Sequence, residues 1–342
     1  FEGTVTAAYS KSGSYDPDFI WDNAYGLPNG TLSINSGVVV NAGSRQMTIG
    51  NMKGAGELRT TGNVTIGGRN ETISYTGTFA GMALTKTGDG EWKVTKALGT
   101  PKSVTVNKGL MSLPAAAGRG VPLPDLSSAN TITLTGETVK MRGQGTVASI
   151  SVQNGAMLEP GYYTGTSATH YGLITATKNV NIAEDGVLSL YINNAPSKTN
   201  VNSYMDIAGK ITLNGTLKVG MNGNYSPSVG DEFTLWTAGS FEGTPKFELP
   251  SLPTGMAWDY SALSTSKGVL KVVVATSINS IPANEVTKCD VYTIEGVKVG
   301  TLSATRSNVE TMAKEQLSLA SGTYIIRMTA KSCSETIKII VR

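Results

Sequence analysis

The side chains able to carry chemistry are few and scattered. Carboxylates stand at Asp16, Asp18 and Asp22 in the segment SGSYDPDFIWDNAYGLPNG, and at Asp125 in PAAAGRGVPLPDLSSA. Glycoside hydrolysis needs two carboxylates across a sugar-sized groove, and sequence places no pair of these at a usable separation. The three early aspartates depart from the EF-hand pattern in spacing and in glycine placement, so a capping or packing loop is expected there. His170 is the sole histidine, with no histidine or cysteine nearby to complete a zinc site. Cys289 and Cys333 are the only cysteines, and both a bridge and two buried free thiols remain open. No catalytic, metal or cofactor residue is assigned. The carbohydrate-contact candidates are Trp21 and Trp92, whose rings could support the apolar face of a sugar, and Arg119 in the proline-rich excursion. Core packing for the two tryptophans and a solvated loop for the arginine are the competing readings.

These residues must be held by something, and composition says what. Glycine is abundant at 40 of 342 residues, while charged residues make up only 15%. Thr, Ser, Asn and Val are prominent, which suits strands and turns better than helices. The net charge of +3 comes from 28 basic and 25 acidic residues with no basic cluster. That gives no reason to expect a nucleic-acid partner. No apolar run is long enough to cross a bilayer as a helix. The opening Phe1-Glu2-Gly3-Thr4 reads like the inside of a repeat, so a processed product or part of a longer protein is expected.

The pattern becomes regular from Thr31. Short apolar or β-branched runs alternate with Gly, Asn and Ser, as in TLSINSG, VVVNAGSRQMTIGN and GELRTTGNVTIGG. Alternation over Glu91–Val94 and Ser103–Leu113 predicts pleated strands with one buried face. Gly88-Asp89-Gly90 predicts a structural turn. Many such units stacked together would share one core, which a lone hairpin could not supply. Residues 114–129 break the rhythm and predict an excursion. Trp236, Trp258 and residues 241–260 are expected to cover the last cross-section. After Thr276 the composition changes. CDVYTIEGVKVGTL and GTYIIRMTAKSCSETIKIIVR predict strands of a small β-sandwich, and residues 306–320 need not be regular.

The unit LTKTGDG at 84–90, with Glu91–Val94 and Ser103–Leu113 behind it, resembles the autotransporter-associated β-strand repeat. TIGNMKGAGEL with NVTIGG, LEPG at 158–161, MDIAGKITLNGTLKV at 205–219 and VGDEFTLWTAGSFEG at 229–243 extend the likeness over about residues 30–275. The resemblance implies a right-handed parallel β-helix in a secreted or surface protein. The chain does not carry the membrane barrel of a complete classical autotransporter, so export other than through a barrel of its own is expected. VYTIEGVKV at 291–299, LASGTYIIRM at 319–328 and KIIVR at 338–342 resemble the small sorting domains of Bacteroidetes proteins, which can direct type IX export and surface attachment.

The expected fold is therefore all-β: a right-handed parallel β-helix over 1–275, with an N-terminal edge segment and a C-terminal cap, then a small β-sandwich over 276–342. The expected role is a noncatalytic extracellular or outer-surface scaffold or adhesin-like module, the C-terminal part of a larger protein and a monomer. Its expected partners are a glycan or another host or environmental surface ligand, and secretion machinery through 276–342. The alternatives are a polysaccharide lyase or glycoside hydrolase fragment, by analogy of fold alone, or a carbohydrate-binding accessory module.

Overall fold

A computed structural model of the chain describes residues 1–8, 18–23, 25–114, 123–161, 171–198, 201–275, 286–329 and 334–341. The protein is all-β, with large parallel sheets. It divides into two compact units, Phe1–Val273 and Val274–Arg342.

In the first unit the strands pair in parallel with strands one winding away in the chain. Ala83–Lys86 pairs with Asn63–Ile66 on one side and with Ser103–Val106 on the other. Successive windings in this stretch have equal length, since Asn63 lies beside Ala83 and Ala83 beside Ser103. Later windings are longer: Val187 pairs with Thr216, and Thr216 with Lys246. The Gly-Asp-Gly segment therefore closes no hairpin. It is a corner carrying the chain from Ala83–Lys86 in the largest sheet to Glu91–Lys93 in a seven-stranded one.

Stacking in register turns the strand alternation into columns. In the seven-stranded sheet the inward column runs Trp92, Met111, Met141, Leu158, Leu188, Leu217, Phe247. All but Phe247 are fully buried. In the largest sheet Val64, Leu84, Val104, Ile132, Ile150, Val180 and Ile211 make a second column. Inward side chains within a column thus lie between the winding before and the winding after, which makes many short strands into one continuous core. The parallel order ends where Lys267–Val274 pairs antiparallel with Glu232–Glu242. Phe233, Trp236 and Leu270 are buried there, and Trp258 packs edge-on to Phe233 at 6.3 Å between ring centroids.

The second unit is built differently from the expected sandwich. Its described residues form one four-stranded antiparallel sheet, in the spatial order Lys298–Ala304, Thr287–Thr293, Gly322–Thr329, Ser334–Val341. The second layer is not another sheet but helix α1, Val309–Leu317, inside the stretch 306–320 that need not have been regular. Val309 and Ala313 are buried in one core with Cys289, Val291, Leu302, Ile326, Met328 and Ile339. The spacing of Val309, Met312, Ala313 and Leu317 is that of an amphipathic helix. Asn308 precedes it, and its side-chain Oδ1 accepts hydrogen bonds from the Thr305 amide at 2.8 Å and the Thr305 hydroxyl at 2.9 Å. Ser318, in the left-handed region at φ 47°, ends it. No helix among the described residues is long and apolar enough to cross a membrane.

Candidate functional site

The sequence candidates do not come together. Trp92 is fully buried in the inward column, between outward Glu91 and Lys93. It offers no ring face to a ligand, so its assignment as a carbohydrate contact is corrected. Period-2 alternation requires this: with Glu91 and Lys93 on the solvent face, the residue between them must point inward. Trp21 is likewise in the core at 8% exposure, with Nε1 donating to the Asn23 carbonyl at 3.1 Å, and the same correction applies. Arg119, Asp16 and His170 lie outside the described residues, as does Cys333, and the side chain of Asp18 is not described either. Asp22 is exposed and pairs with Arg45 at 2.5 Å. Asp125 accepts from the Ser127 amide at 2.8 Å, a local turn bond. Cys289 is a buried free thiol. Among the described residues no group of three His, Cys, Asp or Glu could hold a metal ion.

Two polar features that sequence reasoning missed stand out instead. The first is interior. Lys86 is in register with Ile66 and Val106, in an otherwise aliphatic column, and is fully buried. Its ammonium donates to the carbonyls of Gly88 at 2.6 Å, Gly90 at 2.5 Å and Lys108 at 2.8 Å. Three acceptors match the three donors of a protonated lysine, so the side chain staples the Gly-Asp-Gly corner to the next winding. Gly88 at φ 73° supplies the left-handed backbone that this corner needs. Burial nevertheless pushes the lysine pKa down to about 8, with Asp89 opposing the shift and Lys108 adding to it. The alternation signal was present in the sequence: Lys86 is two residues from the inward Leu84.

The second feature is exterior. The outward column of the seven-stranded sheet begins Lys93, Ser112, Arg142, Glu159, and continues with the register partners Ser189, Lys218 and Glu248. At Arg142, Glu159, Ser189 and Lys218 the column opens into a cleft of about 240 Å³, walled by Pro160, Gly161, Tyr191 and Gly220 and reached by Ser203. Tyr191 faces Gly220 across the strand pair. A Cβ on Gly220 would lie 2.5 Å from a Tyr191 ring carbon, so the ring lies directly against the bare glycine backbone. Burial raises the Tyr191 pKa, which keeps the phenol protonated. Arg142 and Glu159 are cross-strand partners, yet no ion pair joins them among the described residues. Lys218 reaches Glu248 only at 3.9 Å, a contact of little energetic weight on an exposed surface. The Ser203 hydroxyl is buried and has no hydrogen-bond partner among the described residues.

This cleft offers two cations, one carboxylate and two hydroxyls beside an aromatic wall. It can hold a small polar ligand that carries negative charge. Its one carboxylate does not make the pair that glycoside hydrolysis uses. The chain matches no protein-family model, and a comparison with curated proteins finds no match either.

Proposed function

We propose that residues 1–275 form a right-handed parallel β-helix, and that the chain is a noncatalytic scaffold or adhesin-like module of a secreted or cell-surface protein. The observation that carries this reading is the unbroken inward column from Trp92 to Phe247. Parallel strands joined winding by winding need crossovers, and such crossovers are right-handed in nearly all proteins. A stack of this kind is a stiff body whose length grows with the number of windings, a geometry suited to holding another unit at a distance. The small C-terminal unit would serve secretion or sorting, as its sequence likeness implies. A second reading, a carbohydrate-binding accessory module, draws on the Arg142–Lys218 cleft.

A polysaccharide panel scored for both binding and product release tests the proposal. Binding without release, or neither, fits the scaffold. Reproducible cleavage that stays with the purified chain overturns it. Sedimentation velocity should give a monomer, and surface labelling of the source cells should reach the chain.

A further inference from the structure

We propose that the cleft at Arg142, Glu159, Ser189, Tyr191, Ser203 and Lys218 is a binding site for a uronate sugar, a single ring bearing one carboxylate. Three independent observations meet there. Among the described residues the Arg142 guanidinium stands in the cleft without an ion pair, although Glu159 is its neighbour on the next strand. A planar fork left free in this way matches a carboxylate bidentately. The Ser203 hydroxyl is fully buried at the cleft and unpartnered among the described residues. A buried hydroxyl without a partner is uncommon and marks a place where another polar group completes the set. Gly220 carries no side chain where the Tyr191 ring lies, and so fixes the cleft's wall.

Size and charge narrow the ligand. The volume of about 240 Å³ falls below the range of roughly 300–1,000 Å³ found for drug-sized ligands, so the cleft itself seats about one ring. Arg142 and Lys218 stand three strand steps apart, about 14–15 Å along the stack at the usual strand spacing. One cation therefore takes the carboxylate, and the other borders the far end. Glu159 and Ser189 lie between them and can accept from or donate to ring hydroxyls. A neutral hexose would leave the guanidinium unanswered, and a bare carboxylate would leave Glu159 and the serines unused. This site is separate from the scaffold proposal: its failure leaves that reading standing, and only product release from a polymer removes the scaffold.

The test is calorimetric titration of the full chain with galacturonate and glucuronate, beside methyl glucoside and acetate. Saturable binding of at least one uronate is expected, with methyl glucoside and acetate weaker by about tenfold or more, the worth of one charge-assisted contact. Arg142→Gln should weaken uronate binding by about tenfold or more while circular dichroism and the melting midpoint stay as in the parent. Lys218→Gln, at an exposed position, gives a second arm free of folding effects and should weaken binding by a smaller factor. The proposal is overturned if no uronate binds saturably, if methyl glucoside or acetate binds as well, or if both variants keep the parent affinity.

Discussion

In the first unit nearly every strand pairs in parallel with a strand one turn of the stack away; in the second all pairs are antiparallel, and Thr287–Thr293 meets Gly322–Thr329 only after the chain has made another strand and a helix. The first unit buries its side chains in columns that pass from winding to winding, as in the run from Trp92 to Phe247. The second closes a small core between one antiparallel sheet and α1. The consequence is a difference in how damage spreads. A defect in a column is felt by the windings above and below it, whereas a defect in the second core stays with that sheet and its helix.

The largest test of that contrast is Trp92→Ala. Truncating a fully buried tryptophan should cost about 3–5 kcal/mol. Hydrogen exchange should speed up on both sides of it, at Ile73 with its surroundings and at Leu110–Leu113. Ligand binding at the Arg142 cleft should survive wherever the fold does. Ile326→Ala in the second unit should cost about 2–5 kcal/mol, with the loss confined to the transition of that unit. Exchange in the Trp92 column that responds to Ile326→Ala would erase the contrast.

The Lys86 corner sharpens the comparison through pH. The lysine's ordinary pKa is 10.5, and in the folded chain it falls to about 8. Between those values the unfolded chain keeps the proton that the folded chain has released, so the unfolded state binds more protons and stability rises with pH. The full gain across the window is on the order of 3 kcal/mol. It should be seen as the difference between the parent and Lys86→Met in denaturant titrations from pH 8 to 10, since the other titrating groups are common to both. Equal slopes in the two proteins would show that the three carbonyls hold the ammonium charged throughout. Amide exchange at Gly88–Gly90 should quicken in the variant, because the corner loses its staple. The smallest effect is expected at the exposed Lys210–Glu242 pair, where Lys210→Ala should leave the melting midpoint unchanged within error.

Much of this architecture was legible from strand alternation and turn residues. Ser103–Val106 and Leu110–Leu113 fall in the predicted 103–113 unit, and Gly88 makes the predicted turn. Alternation tells which face a residue takes, but not which distant strand lies beside it. The cleft is therefore not legible in the sequence: Arg142, Glu159, Ser189 and Lys218 come from separate windings, far apart in the chain, and meet only through register. Lys86 is hard to read for another reason. A lysine is rarely buried, so its residue type argues against the period that places it on the face of Leu84. Residue type alone leaves Trp92 open to both a core and a platform reading, and Glu91 and Lys93 on either side decide for the core. In the second unit the polar residues of 306–320 masked the spacing of Val309, Met312, Ala313 and Leu317 that makes α1.

The pairing of each strand with the winding before it also sets how the chain yields under load. The ladder hydrogen bonds point along the stack and the strands run across it, so tension between the ends of the first unit reaches one winding at a time. A winding such as the one from Ala83 to Ser103 releases about 66–72 Å of slack when it peels off. On the proposed β-helix, single-molecule pulling on the first unit should therefore lengthen it in steps of that size, with the windings behind each step still folded.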